Sequence, residues 1–537
     1  MSNEPTHLHD VSSSNSSRRP QRTLPMTAAR SLLLLIAATL PASAAVALAS
    51  PFTDHAVLQR DQPVPVWGFD TPGSTVTVTI QGLRATATTS PEGRWRATLP
   101  PLPVGGPYEL TVAGSSKITL HDLLVGEVWL CSGQSNMEYS TRRSDTGAAD
   151  VPRSANPRIR LLNLCPKKQG ANTPQDTFDA TWTACTPASV GVFSAVGYYF
   201  GRELERELQV PVGIINASWS GTAAEAWISQ PSLEADPEFK KAMPAWEKSL
   251  AEYPKLEEEY RTVTLAKWEK DNAEAKAAGK PELRKPKEPT GPTTLERRPG
   301  GLFNGMIAPL TPYALHGVVW YQGEANAGFE ARAIAYRRLL PLLIADWRRA
   351  FTKEISFHIV QLANFNHDDP AKMAAPWPVV PWPILRESQA MVAATVPHSG
   401  LAVAIDIGNP EDIHPSNKYE VGRRLALSAL ARDYGKNIAY SGPVFKAMTV
   451  AGNVATLSFD HAEGLKSKDG ALRGFVIAGE DGRFVAATAT IEGSDIRVSH
   501  PTVTAPVSVR YNWASSPDGN LVNAAGLPAV PFRWPQR

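Results

Sequence analysis

Four short polar stretches of the sequence contain residue types needed for nucleophilic attack on an acyl group. The first is Ser132-Gly-Gln-Ser-Asn136, which follows the apolar run Val128–Leu130. A buried strand that ends in a glycine-containing turn presents side chains at the carboxyl edge of a sheet, where α/β proteins place their chemistry. Ser135 lies where a helix would begin, so helix-start N–H groups would surround it, whereas Ser132 is expected to close the turn. A turn or capping role is the alternative.

Two later turns supply candidate donors for a developing oxyanion. Gly221 follows the predicted strand Val212–Asn216, and because it has no Cβ its backbone N–H can approach a bound oxygen closely. Gln322 follows the predicted strand Gly317–Tyr321, and its side-chain amide can donate to an oxyanion there. An ordinary strand-to-helix turn and a structural amide are the respective alternatives.

The fourth stretch, Asp406–Asn417, contains a candidate general base. The residue before a proline avoids the α region, so His414, which precedes Pro415, is expected to be extended. In an extended segment residues two apart share one side, and the carboxylate of Asp412 can then orient the imidazole. The helix that follows is predicted to begin at Asn417. Together the four stretches supply a nucleophile, a base, an orienting acid and oxyanion donors, the set required for acyl transfer.

These residues need a scaffold that brings distant parts of the chain together. From about residue 122 to 434, short apolar runs alternate with helical stretches, which predicts a mostly parallel sheet with helices on both faces. The strands are predicted at Val212–Asn216, Gly317–Tyr321, Ser356–Leu362 and Leu401–Ile405, and the helices at Val196–Leu208, Ala331–Phe351 and Asn417–Tyr434.

Segments with the alternating pattern of β-strands flank this region. Residues 50–121 contain short alternating strands separated by Gly- and Pro-containing turns, which predicts a small antiparallel sandwich. Residues 436–537 return to this pattern, as a second module or as the completion of the first. Residues 235–298 predict an inserted pair of helices, broken at Pro254 or within 279–292. The insertion is either an exposed hairpin whose aromatic residues pack on the body, or a lid or wall for the substrate.

The composition limits the classes of partner. The 537 residues are 43% hydrophobic and 20% charged, as in an ordinary globular protein, and the net charge of +2 indicates no nucleic-acid partner. Cys165 and Cys185 can pair in an oxidising compartment, while Cys131 is predicted to be a buried free thiol. No spacing of cysteines or histidines indicates a metal, and the acyl transfer expected of the four stretches requires neither a metal nor an organic cofactor.

Residues 1–49 predict a secretory signal peptide. Arginines precede the apolar run Leu32–Leu40, and small residues follow up to a cleavage motif at Ala47-Leu-Ala49. A membrane anchor is the alternative, but Pro41 ends the run before it reaches the roughly 20 residues that a span needs. We therefore expect a periplasmic or secreted chain that is not inserted in the membrane after cleavage.

The order of the motifs resembles the SGNH hydrolase superfamily. The stretches 126–138, 320–324 and 412–415 are most similar to those of the sialate O-acetylesterase family and its carbohydrate acetylesterase relatives. The resemblance runs from about residue 52 to the C-terminus. It implies an α/β fold of the SGNH type: a three-layer α/β/α domain (122–434) with a mostly parallel sheet, flanked by small β-sandwich modules.

The same resemblance implies a role for each site residue. The superfamily often places its acid three residues before the histidine, which is Glu411 here, so the choice between Glu411 and Asp412 stays open, as does a Ser-His dyad. The implied roles are nucleophile for Ser135, base for His414, orienting acid for Asp412, and oxyanion hole for the N–H groups of Ser135 and Gly221 with the Gln322 side chain.

The expected function is that of an exported esterase that removes O-acetyl groups from sugars. The family name points to O-acetylated sialic acid, whereas related enzymes act on acetylated hemicelluloses such as xyloglucan or xylan. A non-catalytic glycan-binding protein with a degenerate hydrolase domain is the alternative.

Overall fold

The computed structural model of the protein describes residues 45–289, 291–292 and 294–535. Most of the predicted signal segment, up to residue 44, therefore lies outside the described residues. No helix in the described ranges is both long and apolar enough to cross a membrane.

The N-terminal strands alternate between buried and exposed positions, as the sequence predicts. They lie in two sheets that share one hydrophobic core with the central part of the chain. The strands are β1 (Ala47–Leu48), β2 (Val57–Gln59), β3 (Val64–Phe69), β4 (Thr75–Ile80), β5 (Leu83–Thr88), β6 (Arg94–Leu99), β7 (Gly105–Ala113) and β8 (Lys117–Gly133).

The predicted cleavage motif lies in the first of these strands. Ala47 pairs with Phe69 and Leu48 with Gly68, so β1 forms the edge of the sheet beside β3. Ala49 is buried. Cleavage after Ala49 would remove a strand that the folded protein uses.

The central sheet contains the four strands that the sequence predicts after residue 200. Its order is β10-β9-β11-β8-β12-β13-β14, and every neighbour is parallel except the antiparallel edge strand β10. The central strands are β9 (Asn156–Asn163), β10 (Trp182–Cys185), β11 (Val212–Ser218), β12 (Gly317–Tyr321), β13 (Ser356–Gln361) and β14 (Ser399–Val403).

Strand β8 joins the N-terminal strands to this central sheet. Its first half pairs antiparallel with β7, and its second half pairs in parallel with β11 and β12. Every residue from Leu123 to Gly133 is buried, because neighbouring strands cover the edges of β8 and side chains cover its faces. The predicted boundary at residues 121–122 lies inside this strand, a few residues before its pairing partner changes from β7 to β11 and β12.

Helices cover both faces of the sheet. Trp129 of β8 contacts Phe200, whereas Trp320 of β12 contacts Trp347. Trp320 pairs with Ser132, three residues beyond Trp129, so the two tryptophans point to opposite faces. The α/β fold class with a mostly parallel sheet is therefore confirmed. The helices are α1 (Ser135–Glu138), α2 (Gly147–Asp150), α3 (Pro187–Val192), α4 (Ala195–Leu208), α5 (Gln230–Ala235), α6 (Ala242–Glu259), α7 (Ala266–Ala277), α8 (Glu330–Phe351), α9 (Pro370–Met373), α10 (Pro381–Thr395) and α11 (Lys418–Arg432).

The insertion is one long helical arm followed by an extended strap. Helix α6 continues through a π-helical stretch, Tyr260–Leu265, into α7, so Pro254 does not break it. The chain turns at Gly279, whose φ is 67°, a value that glycine adopts without strain. We call residues 242–277 the arm, and residues 280–289 with 291–292 the strap.

The C-terminal strands pair only among themselves within the described chain. They enclose a separate core, so this module does not complete the N-terminal sheets. Arg386 of α10 is fully buried and donates hydrogen bonds to the carbonyls of Ala514 and Ser515, which ties the module to the body. The strands are β15 (Val444–Ala451), β16 (Val454–Asp460), β17 (Lys466–Ser467), β18 (Phe475–Ala478), β19 (Val485–Ala486), β20 (Thr488–Glu492), β21 (Asp495–Ser499), β22 (Ser508–Tyr511), β23 (Leu521–Val522) and β24 (Phe532–Trp534).

Candidate active site

Ser135 is the first residue of α1, immediately past the end of β8. The turn needs glycine at position 133, because φ there is 133° and a Cβ would lie 2.1 Å from the carbonyl oxygen of Tyr321. Ser132 is fully buried, whereas Ser135 is half-buried and lines a cavity of about 790 Å³. The structure thus presents Ser135, and not Ser132, to this cavity.

The cavity brings together three of the five predicted site residues. Ser135, Gly221 and His414 line it, from the β8–α1 turn, the loop after β11 and the loop before α11. Asp412 and Gln322 do not line it. Parallel strands end at one edge of the sheet, which is why residues nearly three hundred positions apart meet there.

Two hydrogen bonds from Ser220 hold the Gly221 loop against the serine turn. The backbone N–H and the hydroxyl of Ser220 both donate to Glu138 of α1, each at 2.7 Å. Gly221 has a φ of 74°, which favours glycine. Within the described residues, the backbone N–H groups of Ser135 and Gly221 donate to no protein acceptor. Both are therefore available to an oxygen bound in the cavity.

Gln322 lies behind the cavity, fully buried after the end of β12. Its amide nitrogen donates to the Thr222 carbonyl at 3.2 Å, to Gln134 Oε1 at 3.2 Å and to Asn326 Oδ1 at 2.8 Å. Its Oε1 accepts from the Tyr336 hydroxyl at 2.7 Å. In this arrangement Gln322 braces the residues next to Gly221 and Ser135, and it would reach an oxyanion only by releasing one of these acceptors.

Asp412 and Glu411 point to different histidines. Asp412 Oδ1 accepts from the backbone N–H of His414 at 2.9 Å and lies 3.8 Å from His414 Nδ1. Glu411 instead pairs with His367 at 2.7 Å, and both of these side chains are more than 60% exposed. Of the two candidate acids, the structure therefore brings Asp412 to the imidazole.

His414 lines the cavity with a partly exposed side chain. Its side chain is 34% exposed, and burial is the main cause that lowers its pKa. The Asp412 carboxylate opposes this shift, whereas the nearby Lys418 and Arg143 cations add to it. His414 is thus favoured in the neutral form, which a general base requires.

Asn136, next to Ser135, is a junction that motif matching did not identify. Its side-chain amide donates to Glu324 and, at 2.9 Å, to the carbonyl of Ile413, directly before His414. Its Oδ1 accepts from the ammonium of Lys418. One buried carboxamide therefore connects the serine turn, the histidine loop and the loop after β12.

Lys418 and Glu324 are a buried base and a buried acid on the two sides of this junction. Burial lowers the pKa of Lys418 to about 7, against the attraction of Glu324. Burial also raises the pKa of Glu324, against its hydrogen bond from Asn136. The rings of Tyr139 and Tyr321 lie 4.9 and 5.5 Å from the ammonium and provide cation–π contacts. Replacing Asn136 would leave both buried groups without their shared partner.

One sequence signal pointed to Lys418. It is the first residue of α11, after the cap Asn417, whose side chain accepts from the Glu420 N–H at 3.1 Å. A cation at a helix start opposes the helix dipole, so a lysine there calls for a specific partner. Which partner it has depends on loops that are far apart in the sequence.

The Cys165–Cys185 disulfide that the sequence permits is not formed. All three cysteines are free, and Cys131 is buried as predicted. The sulfur of Cys165 contacts the Ser218 carbonyl at 3.2 Å, and that of Cys185 contacts the Ser154 carbonyl at 3.0 Å. Burial raises the pKa of Cys165 to about 11, so it is a thiol at neutral pH. No cluster of three or more His, Cys, Asp or Glu side chains suited to a metal occurs in the described ranges.

Comparison with known proteins gives consistent matches over most of the chain. Residues 125–280 and 291–431 match the model of a family described as carbohydrate esterase, sialic acid-specific acetylesterase. The sialate O-acetylesterase of Mus musculus is 30% identical over 476 residues, which cover 82% of this chain and 84% of the mouse protein. That of Rattus norvegicus is 31% identical over 480 residues, with the same coverage.

A solved structure shows the same fold over nearly all of the chain. It is the crystal structure of a carbohydrate acetylesterase from Xanthomonas citri, which is 37% identical and has a TM-score of 0.77. The match covers 92% of this chain and the whole of that chain.

Proposed function

Because the chain belongs to the carbohydrate esterase, sialic acid-specific acetylesterase family, and is thereby a carbohydrate O-acetylesterase, we propose that Ser135, His414 and Asp412 carry out its reaction. The observation that carries this proposal is the shared cavity lined by Ser135, Gly221 and His414. The nearness of Asp412 to His414 Nδ1 supports the assignment of the acid.

The reaction follows from the positions of these groups. Ser135 Oγ attacks the acetyl carbonyl carbon while His414 takes the hydroxyl proton. The N–H groups of Ser135 and Gly221 donate to the oxyanion that forms. The tetrahedral intermediate collapses, and the sugar oxygen leaves with the proton from His414. Water then attacks the acetyl-enzyme as His414 takes one of its protons, and the second tetrahedral intermediate collapses to release acetic acid, which ionises to acetate, while His414 returns the proton to Ser135 Oγ.

For the substrate, we propose O-acetylated oligosaccharides, including those of plant hemicelluloses such as xyloglucan and xylan. The cavity of about 790 Å³ lies within the range of about 300–1,000 Å³ for ligand pockets and exceeds what an acetyl group alone requires. The mammalian relatives are named for sialate esters and the Xanthomonas citri protein for carbohydrate esters, so acetylated sialic acid is the substrate to compare.

We propose that the chain is exported, to the periplasm or the outside. The arginines and the apolar run Leu32–Leu40 support a signal peptide. Because Ala47–Leu48 form strand β1, we place cleavage before it, at the A-x-A motif Ala42-Ser-Ala44. The N-terminal sequence of the secreted chain tests this, and a mature chain that begins at residue 50 would contradict it.

Removing the Ser135 hydroxyl tests the proposed mechanism. We expect Ser135→Ala to lower kcat/KM for 4-nitrophenyl acetate at least about a thousandfold. Ser132→Ala is the matched control, since Ser132 Oγ is buried without a hydrogen-bond partner in the described chain, and it should keep activity. Acetate release from acetylated xyloglucan, xylan and sialic acid, measured side by side, identifies the substrate. Full activity of Ser135→Ala would overturn the mechanism.

A further inference from the structure

One face of the arm carries four aromatic side chains that each donate a hydrogen bond to the strap. They recur every seven or eight residues, which keeps them on one side of the helix. Their acceptors lie three residues apart, the period of a polyproline II helix, whose carbonyls form no internal hydrogen bonds. The donor–acceptor pairs are Trp246–Pro292 (3.1 Å), Tyr253–Pro289 (3.4 Å), Tyr260–Pro286 (2.9 Å) and Trp268–Leu283 (3.1 Å). We call this set the aromatic ladder.

Two further contacts fix the strap on the arm. Asn272 Oδ1 accepts from the Leu283 N–H at 2.7 Å, at the start of the strap. At the other end, Gly291 lies flat against the ring of Tyr253, where an added Cβ would stand 2.6 Å from the ring. The four aromatic side chains of the ladder thus pack on the strap, whereas Phe239, at the start of the insertion, is buried in the core of the body.

The strap carries one cation to the active-site cavity. Lys287 lies between Pro286 and Pro289, whose carbonyls the ladder holds. It lines the cavity together with Ser135 and His414. Lys287 makes no ion pair within the described residues, so its ammonium is available to a ligand.

Lys287 differs from the nearby Lys285 in its position and not in its charge. Lys285 is an exposed cation two residues earlier on the same strap, and it does not line the cavity. Residues 281–290 also fall between the two ranges that match the family model, so this part of the cavity wall is outside the family pattern.

We propose that Lys287 binds the glycan portion of the substrate, beyond the acetylated position, and that the aromatic ladder holds it there. The inference rests on the proposed function, because it assumes that Ser135 marks the position of the acetyl group. An ammonium donates to oxygen acceptors, which are hydroxyl groups in a neutral hemicellulose oligosaccharide and also a carboxylate in a sialoside.

Glycan binding to a catalytically silent protein tests this proposal. In the Ser135→Ala background, the Kd values of acetylated xyloglucan oligosaccharides, acetylated xylo-oligosaccharides and O-acetylated sialic acid are measured by calorimetry. Lys287→Met keeps an unbranched side chain of nearly the same length and removes the charge, and we expect it to raise the Kd of at least one glycan about tenfold, as for a lost charge-assisted hydrogen bond. Lys285→Met is the matched control and should leave every Kd unchanged. A raised Kd for the neutral oligosaccharides indicates that Lys287 binds a hydroxyl group, and a raised Kd for O-acetylated sialic acid alone indicates that it binds the carboxylate.

A second variant tests the ladder. Gly291→Ala places a methyl group against the Tyr253 ring. It should raise the Kd of the same glycan that responds to Lys287→Met, and it should leave the thermal unfolding of the body unchanged. Unchanged binding by Lys287→Met, equal weakening by Lys285→Met, or the absence of glycan binding by Ser135→Ala would each overturn the proposal. Glycan binding without acetate release by the unmodified protein would instead count against the proposed function alone.

Discussion

The floor and the rim of the cavity are built in opposite ways. We call floor the buried network beneath the cavity, of which Glu324 lines the cavity and the other members lie behind it. Its members are hydrogen-bonded to one another or to adjoining loops, and they are Asn136, Gln322, Glu324 and Lys418. The rim on the strap side consists of an exposed helix and an extended segment joined by separate aromatic contacts.

This difference separates the residues that position the catalytic loops from the residues that bind the glycan. A buried polar network is costly unless each member has its partner, so the floor tolerates little change and holds the catalytic loops in register. A surface segment can change length and sequence at a small cost in stability, and binding residues on such segments need only a firm scaffold beneath them. We therefore expect floor variants to alter the reaction and rim variants to alter glycan binding.

The largest effect is expected at His414, the proposed base. His414→Asn removes the proton acceptor and should lower kcat/KM for 4-nitrophenyl acetate about a thousandfold. His367→Asn is the control, because His367 pairs with Glu411 away from the cavity, and it should be nearly silent. A His414→Asn variant that keeps a tenth of the activity would break the assignment of the base.

The next effect is expected in the floor itself. Asn136→Ala removes the link to the Ile413 carbonyl and leaves Lys418 and Glu324 without their shared partner. We expect kcat to fall about a hundredfold through misplacement of His414, and the free energy of unfolding to fall by about 3 kcal/mol. Steady-state kinetics and urea unfolding measure the two quantities. A rise in KM alone would mean that Asn136 contacts the substrate instead.

Removing a tyrosine hydroxyl that donates to the floor, and removing one that belongs to the rim, compares the two regions directly. Tyr336→Phe leaves Gln322 Oε1 without its 2.7 Å donor, in full burial, and should cost about 2 kcal/mol in the free energy of unfolding. Tyr260→Phe removes a 2.9 Å hydrogen bond at a half-exposed site and should cost less than about 0.5 kcal/mol, while trypsin cleaves the strap faster. Equal losses in the free energy of unfolding, measured with urea, would show that the floor and the rim do not differ in this way.

The two candidate acids give a smaller contrast. Asp412→Asn should lower kcat/KM about tenfold, since its contact with His414 is long and the carboxylate is 58% exposed, which weakens the ion pair. Glu411→Gln should change kcat/KM by less than about twofold, because Glu411 pairs with His367. The reverse order would identify Glu411 as the orienting acid.

The pH profile reports how strongly the floor acts on the base. Burial disfavours the imidazolium and lowers the pKa of His414 below the ordinary 6.5. The neutral form is the base, so kcat/KM should rise with pH, and its acid-limb midpoint should lie below 6.5. Asp412→Asn should move this midpoint further down, because the carboxylate raises that pKa. An acid-limb midpoint above 7 in the unmodified protein would contradict the assigned environment.

Local sequence patterns identified most of the sheet and its helices. The predicted strand Gly317–Tyr321 agrees with β12 at both ends, and the predicted helix start at Asn417 agrees with the observed cap. Apolar runs, glycine turns and capping residues act over a few positions, so they can be recognised without knowing the fold. The same local reasoning favoured Ser135 over Ser132 for the cavity.

The sequence by itself determined the α/β class, the family resemblance and the residue types available for acyl transfer. Only the tertiary structure decided what those residues touch: that Asn136 joins three loops, that Asp412 rather than Glu411 faces His414, and that Lys287 reaches the cavity. The physical reason is that contacts between residues far apart in the chain depend on strand order and on loop paths, and neither leaves a periodic signal in the sequence.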